Sequence, residues 1–152
     1  MDLKRILLAE DDPLGVELTL AALEEFHLVN EIQVVYDGEK ALDYLYRRGP
    51  FAALAPGNPA LVLLDLKMPK VDGLEVLRQI RADEALRLIP VVVLTSSREE
   101  HDIVASYTTG VNAYVVKPLD FTEFTQAIKH LGIFWAILNE PPPGSQKRDM
   151  KQ

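Results

Sequence analysis

The chain has 152 residues, a length that fits one domain. Its 23 acidic residues outnumber 16 Lys and Arg, and the resulting net charge of −7 argues against a general nucleic-acid binder, which needs a basic face. The absence of cysteine excludes disulfides, iron–sulfur clusters and thiol catalysis. Because no apolar run could span a bilayer and no signal-peptide pattern is present, we expect a cytoplasmic protein without a membrane partner.

Five short apolar runs, most of them rich in β-branched residues, predict buried strands. They cover residues 6–9, 32–36, 61–64, 91–94 and 113–116. The runs are continuously apolar and do not alternate with polar residues. This pattern indicates strands that are covered on both faces, as in a parallel sheet.

A helix signal follows each strand. Asp12 and Pro13 supply an N-cap and a first-turn proline for the first helix, and the second helix covers about 38–47. The last three helices open on a capping-box spacing, with Glu three residues after Asp72, Ser97 and Asp120. The order βαβαβαβαβα predicts a doubly wound α/β fold around a five-stranded parallel sheet.

One connection, residues 47–59, is punctuated by Pro and Gly and is longer than most connections in compact α/β domains. Such a loop is either mobile or a partner contact, and the sequence leaves both readings open.

Chemically active side chains follow four of the strands, at the edge where open parallel sheets bind ligands. They are Glu10, Asp11 and Asp12, then Asp65, then Thr95, then Lys117. Oxygen ligands without Cys or His favour Mg²⁺. A carboxylate beside such a metal can act as a nucleophile and form an aspartyl-phosphate, while a lysine and a hydroxyl hold the phosphoryl oxygens. Each residue alone also has an ordinary structural role, such as the N-cap at Asp12.

Four motifs in this order resemble the receiver domain of two-component response regulators. They are Ile6-Leu7-Leu8-Ala9-Glu10-Asp11-Asp12-Pro13, Leu63-Leu64-Asp65-Leu66-Lys67-Met68-Pro69 with Asp72-Gly73, Leu94-Thr95-Ser96, and Val116-Lys117-Pro118. The resemblance implies a receiver domain over residues 1–131 with the flavodoxin-like (βα)5 fold and strand order 2-1-3-4-5. It also implies a sensor histidine kinase as partner.

The resemblance assigns the acidic residues. Asp65 is the expected phospho-acceptor, and Glu10 and Asp11 are the expected Mg²⁺ pair, with Asp11 binding directly and Glu10 through water. The backbone carbonyl of Lys67 would complete the protein ligands. An Asp11/Asp12 pair is the alternative, but Asp12 precedes a proline and is placed to cap the first helix.

The resemblance also assigns the switch residues. Thr95 is the expected switch hydroxyl, Lys117 the lysine that contacts the phosphoryl group, and Tyr114 the switch aromatic. A cis bond is expected between Lys117 and Pro118. The protein would catalyse its own phosphorylation and slow dephosphorylation, and would not be a conventional enzyme. The switch would change the face formed by helix 4, strand 5 and helix 5.

An apolar helical extension is predicted over residues 132–140, followed by a flexible tail over 141–152. A heptad-like stripe runs along helix 5 into the extension and comprises Phe121, Phe124, Ile128, Trp135 and Leu138. We expect this stripe to form a homodimer interface; the alternative is that it packs on its own domain. The extension and the long loop resemble the small response regulators that work with phytochrome-type histidine kinases.

Three other functions are compared with this one. A haloacid-dehalogenase-type enzyme would need a second Asp two residues after Asp65, where Lys67 stands. A flavodoxin-like electron carrier would need a phosphate-binding loop after the first strand, and the acidic run there would repel phosphate. A receiver-like adaptor that is never phosphorylated stays open.

Overall fold

The computed structural model describes residues 5–24, 32–117, 120–133 and 140–145. Within these residues, five parallel strands form one sheet in the order β2-β1-β3-β4-β5. The strands are β1 (Ile6–Ala9), β2 (Ile32–Val35), β3 (Leu61–Leu64), β4 (Val91–Thr95) and β5 (Ala113–Val116). The predicted α/β fold and its strand order are confirmed.

A helix follows each strand. The helices are α1 (Pro13–Glu24), α2 (Gly38–Tyr46), α3 (Gly73–Ala82), α4 (Glu100–Thr109) and α5 (Phe121–Ile133). Because all neighbouring strands are parallel, their carboxyl ends lie at one edge of the sheet. The residues that follow β1, β3, β4 and β5 are therefore brought together.

The core lies on both faces of the sheet. Side chains alternate along each strand, so Ile6 and Leu8 of β1 pack with α1 and α5, whereas Leu7 and Ala9 pack with α2 and α3. Both sets are buried, which accounts for apolar runs that do not alternate. Within the described ranges no helix is long and apolar enough to cross a membrane.

Three helix starts use the predicted caps. The side chain of Asp12 accepts a hydrogen bond from the Leu14 amide at 3.1 Å, and Asp72 and Asp120 each accept one from the amide three residues later, at 2.9 and 3.0 Å. These bonds satisfy amides that have no partner inside the helix.

The predicted cap of α4 is wrong. The helix begins at Glu100, and its N-cap residue Glu99 makes no side-chain capping bond. Ser97 lies before the helix and donates its hydroxyl to Asp102 at 2.6 Å. The same hydroxyl oxygen accepts a long bond from the Glu99 amide at 3.3 Å, so Ser97 holds the turn before the helix and supplies a donor to the buried Asp102.

The long connection packs on the domain. Gly49–Phe51 forms a short 3-10 helix, and the Phe51 ring meets Tyr44 edge to face with 5.3 Å between centroids. Arg47 donates to the Gly57 carbonyl at 2.9 Å. The loop is thus held by an aromatic contact and a side-chain bond in the structure.

The first part of the predicted flexible tail makes contacts with the domain. The Asn58 amide donates to the Gly144 carbonyl at 3.0 Å, and Asn58 and Ser145 form a parallel bridge. The hydroxyl of Ser145 turns back to the Pro142 carbonyl at 2.8 Å. Backbone pairing with the loop before β3 therefore holds this segment on the domain. Residues 146–152 lie outside the described ranges.

Part of the predicted dimer stripe packs inside the domain. Phe124 and Ile128 face inward from α5 and are 6% and 0% exposed, packed against α1 and the sheet. They stabilise the core of their own domain, and their part in an interface stays a prediction. Of Phe121 the structure describes only the backbone, and Trp135 and Leu138 lie outside the described residues. The predicted helical extension is described only as far as Ile133, where α5 ends.

Candidate functional site

Three carboxylates meet at the carboxyl edge of the sheet. One oxygen from each of Glu10, Asp11 and Asp65 lies within 4.8 Å of the others. The backbone of two of them is fixed by bonds that continue the sheet, because the Glu10 amide donates to Val35 at 3.1 Å and the Asp65 amide to Ala9 at 3.0 Å. The edge thus presents an oxygen-only donor set that suits a hard cation.

Lys117 crosses the same edge from β5. Its Nζ lies 2.8 Å from Glu10 Oε1 and 3.1 Å from Asp65 Oδ2. The backbone amide of Lys117 donates to the Thr95 carbonyl at 2.7 Å, which fixes the start of the side chain. One cation therefore bridges two carboxylates that come from separate strands.

Burial and mutual contact set the charge of the two buried acids. Burial raises the pKa of Glu10 to about 8, and a hydrogen bond with Asp65 acts in the same direction. Burial also acts to raise the pKa of Asp65, but the bond from Glu10, the charge of Lys117 and the bond from the Thr95 hydroxyl lower it on balance. The pKa values of the two carboxyl groups thus move in opposite directions, which favours the neutral form of Glu10 and the ionised form of Asp65.

Lys117 stays charged in this setting. Burial acts to lower its pKa, but the hydrogen bond to Glu10 and the charge of Asp65 raise it on balance. A charged lysine is what an incoming anion at Asp65 would meet.

Thr95 and Tyr114, the two predicted switch residues, meet at Ser97. Thr95 is fully buried at the end of β4, and its hydroxyl accepts a long hydrogen bond from the Ser97 amide at 3.4 Å. Tyr114 is half-buried on β5 and donates its hydroxyl to the Ser97 carbonyl at 3.0 Å. The Ser97 side chain in turn donates to Asp102. The loop after β4 therefore connects the hydroxyl, the aromatic ring and the start of α4.

The structure favours one of the two acidic pairs. Asp12 is exposed and uses Oδ1 to cap α1, and it is outside the carboxylate cluster found among the described residues. Asp11 is exposed and lines an open cavity of about 470 Å³ together with Lys67 and Asp102. Glu10 and Asp11 are thus the pair that lies beside Asp65.

The loop after β3 is shaped around Asp65. The Lys67 amide lies 3.5 Å from Asp65 Oδ1, while its side chain is exposed with Nζ 4.0 Å from Asp102. A Cβ at Gly73 would lie 2.1 Å from the Asp65 carbonyl oxygen. The start of α3 therefore needs glycine there to approach the Asp65 backbone. The expected cis bond before Pro118 lies outside the described residues.

Sequence reasoning missed Asp102. It lies in the first turn of α4 and is 5% exposed, with contacts to Ser97, His101 and Lys67. An acid in a first helical turn usually faces solvent, so the sequence carries no signal that this one is buried.

The sequence matches a known protein family. The family profile of the response regulator receiver domain matches residues 6–129. The chain belongs to this family. A receiver domain accounts for the acidic pair, the central Asp, the hydroxyl and the lysine at one sheet edge.

Three relatives illustrate the range of the family. The bacteriophytochrome response regulator RtBRR is 65% identical, with a TM-score of 0.73 over 94% of this chain and 86% of its own. The phosphorylated cyanobacterial phytochrome response regulator RcpA is 38% identical, with a TM-score of 0.85 over 92% of this chain and 99% of its own. The probable methanogenesis regulatory protein FilR2 of Methanothrix harundinacea is 41% identical over 138 residues, 90% of this chain and 86% of its own.

Proposed function

We propose that this receiver domain accepts a phosphoryl group on Asp65 from a sensor histidine kinase and so switches the α4-β5-α5 face. The observation that carries the proposal is the environment of Asp65. Asp65 is 8% exposed, the pKa of its carboxyl group is lowered on balance by Glu10, Lys117 and Thr95, and its Oδ2 is 3.1 Å from Nζ of Lys117. Glu10 and Asp11 lie beside it. This arrangement supplies a nucleophile and a partner for the anion that it would become.

The reaction has two displacements. A carboxylate oxygen of Asp65 attacks the phosphorus of a phosphohistidine, and the P–N bond breaks with its electron pair on the histidine nitrogen. Water later attacks the same phosphorus, which releases inorganic phosphate and restores the carboxylate. Lys117 and Thr95 hold phosphoryl oxygens by charge and by hydrogen bond. The protein contributes mainly position and electrostatics to both steps.

A divalent cation fits the donor set. Glu10, Asp11 and Asp65 provide carboxylate oxygens, and the Lys67 carbonyl would complete the protein ligands. Mg²⁺ is the proposed ion, because hard cations with oxygen ligands share their sphere with phosphate. When bound, it would offset the negative charge of the phosphoryl group. Glu10 would bind it in the ionised form, and so would release the proton that it shares with Asp65.

The switch would run through the loop after β4. A phosphoryl oxygen that accepts a hydrogen bond from the Thr95 hydroxyl would draw this side chain toward Asp65, and the movement would stretch the bond from the Ser97 amide, which is already long at 3.4 Å. Ser97 also accepts from Tyr114, so a shift of this loop would reach the aromatic ring on β5. A two-state change at the start of α4 follows from one modification.

The proposed partners are a phytochrome-type histidine kinase and a second copy of this chain. The first is supported by the 65% identity to a bacteriophytochrome response regulator. For the second, α4 exposes the large apolar side chains Val104 and Tyr107, 56% and 53% exposed. The proposed dimer joins this face to Trp135 and Leu138 of the extension.

Intact mass spectrometry tests the phosphorylation. The protein is mixed with Mg²⁺ and acetyl phosphate, and a gain of one phosphoryl group is expected in the parent and absent in Asp65→Asn. Asp12→Asn is the matched control, because Asp12 is a neighbouring acid outside the cluster, and it should be phosphorylated like the parent. A parent that gains no mass from acetyl phosphate or from a phosphorylated kinase would mean an adaptor that is never phosphorylated.

Size-exclusion chromatography with light scattering tests the dimer. The parent should elute as a dimer and Trp135→Ala as a monomer or as a weaker dimer. A parent that is monomeric both with and without phosphorylation would refute the homodimer.

A further inference from the structure

We propose that Gly15 of α1 is a positioning residue for the phosphorylation site, because only a residue without a side chain lets the Glu10 carboxylate reach Lys117. This inference deepens the proposed function and rests on it. It concerns a helix that supplies no group to the reaction.

The contact is direct. A Cβ at Gly15 would lie 2.8 Å from Glu10 Oε1, 3.4 Å from its Cδ and 3.5 Å from its Cγ. The same oxygen, Oε1, accepts the hydrogen bond from Lys117 Nζ at 2.8 Å. A methyl group at position 15 would therefore occupy space next to the atom that holds the lysine.

The glutamate must be the part that yields. The start of α1 is fixed, because Asp12 caps the helix, Val16 is buried and the Thr19 hydroxyl donates to the Gly15 carbonyl at 2.7 Å. The Glu10 backbone is fixed by its bond to the neighbouring strand. The Glu10 side chain has rotatable bonds, so an added methyl would turn its carboxylate away from Lys117 and leave the fold intact.

Two other glycines show that this case is different. A Cβ at Gly38 would lie 1.8 Å from the Val71 carbonyl oxygen, and one at Gly73 would lie 2.1 Å from the Asp65 carbonyl oxygen. Those collisions are with backbone, so these two glycines serve packing. At Gly15 the collision is with a side chain of the site, so this glycine serves function.

The length of the acid is the second part of the inference. A glutamate reaches back over α1 to meet Lys117, whereas an aspartate at the same position is one methylene shorter. An aspartate would not fill the space above residue 15. Gly15→Ala should therefore harm a site that contains Glu10 and be tolerated by a site that contains Glu10→Asp.

A double-mutant cycle tests this dependence. The rate of Asp65 phosphorylation by acetyl phosphate is measured at limiting Mg²⁺ for the parent, Gly15→Ala, Glu10→Asp and the double variant. Loss of a hydrogen bond to a charged group predicts a fall of about tenfold for Gly15→Ala in the parent. In the Glu10→Asp background the same substitution should change the rate less than about twofold. Leu14→Ala is the matched control, because Leu14 is 60% exposed on the same turn, and it should keep the parent rate.

A second measurement separates position from activity. Calorimetric titration with Mg²⁺ alone should show weaker binding for Gly15→Ala, and no further weakening when Glu10→Asp is already present. The urea midpoint of the metal-free protein should rise on Gly15→Ala only in the Glu10→Asp background, where better helix propensity is gained without the collision.

The outcomes are distinct. Equal effects of Gly15→Ala in both backgrounds, or no effect in either, would overturn the inference. If Gly15→Ala unfolds the chain and Glu10→Asp restores it, the collision is supported; if both variants unfold, the backbone needs the glycine and the inference fails. A parent that is never phosphorylated refutes the proposed function instead, whereas the Mg²⁺ titration and the midpoints still test the contact.

Discussion

The raised pKa of Glu10 should make the stability of the metal-free protein depend on pH. The pKa of this side chain is about 8 in the folded protein and 4.5 in the reference state, with burial as the largest cause. Between these two values the native state binds a proton that the unfolded state has released. The sign follows from linkage: the free energy of unfolding falls as pH rises through this window.

The size of the pKa shift sets an upper limit on the change in unfolding free energy. Each pKa unit corresponds to about 1.4 kcal/mol, so the full window from 4.5 to about 8 would give about 5 kcal/mol. Lys117 can move with the ionised Glu10 carboxylate, and the site opens to solvent at the sheet edge. Screening therefore reduces this free energy. We expect the unfolding free energy to fall by about 2 kcal/mol between pH 5 and pH 8.

Glu10→Gln should remove this dependence. The amide cannot ionise, yet its N–H₂ group can donate to Asp65 as the carboxyl group does. Urea unfolding at several values between pH 5 and 8, with a chelator present, should give a decline for the parent and a nearly flat profile for the variant. The lowered pKa of Asp65 acts in a different range, because its stabilising effect is lost only as pH falls below about 4.

Two results would refute this reasoning. A flat parent profile would mean that Glu10 is ionised throughout, and an equal decline in Glu10→Gln would place the proton on another group. Saturating Mg²⁺ provides a further check, because a cation binds the ionised carboxylates. It should stabilise the parent more at pH 8 than at pH 5.

Three substitutions test other parts of the structure by urea unfolding. Arg81 donates to the Gly110 carbonyl at 2.8 Å from a half-buried position. Arg81→Met should therefore cost about 2 kcal/mol of unfolding free energy by leaving acceptors unpaired. An unchanged urea midpoint would show that water replaces the guanidinium group. Ile128→Ala should cost about 3 kcal/mol through a core cavity, and a cost under about 1 kcal/mol would contradict the burial of α5. Tyr114→Phe should cost about 1 kcal/mol through the lost bond to Ser97, and no loss would show that this bond is not formed in solution.

Most of the fold could be predicted because its signals are local. The continuous apolar runs and the caps at Asp12, Asp72 and Asp120 depend on neighbours within a few residues. The same local reasoning failed at Ser97, since α4 begins at Glu100 and the serine contacts a carboxylate whose burial depends on packing. The stripe on α5 has the same limit: periodicity shows that Ile128 is on an apolar face, but not which surface covers that face.

The residues that form the candidate site could be predicted from the sequence, but their pKa values could not. Strand ends of a parallel sheet meet at one edge, so the chain order alone brought Asp65 and Lys117 together. The raised pKa of Glu10 depends on its burial and on contact with Asp65 from another strand, against the opposing effect of Lys117. The role of Gly15 depends on how closely α1 approaches the Glu10 side chain. Both depend on distances in the folded protein, so neither has a sequence signal.

The net charge at this edge of the sheet would link the protonation of Glu10, the binding of a cation and the phosphorylation of Asp65. In the metal-free protein, the raised pKa of Glu10 favours its neutral form, and Lys117 lies between Glu10 and Asp65. Phosphorylation replaces one carboxylate charge by about two phosphoryl charges. A bound Mg²⁺ would add two positive charges and would favour ionisation of Glu10, so the loaded and phosphorylated site would carry nearly the same net charge as the empty one. A phosphoryl group without the cation would leave excess negative charge at two buried acids, which is why phosphorylation should depend on Mg²⁺.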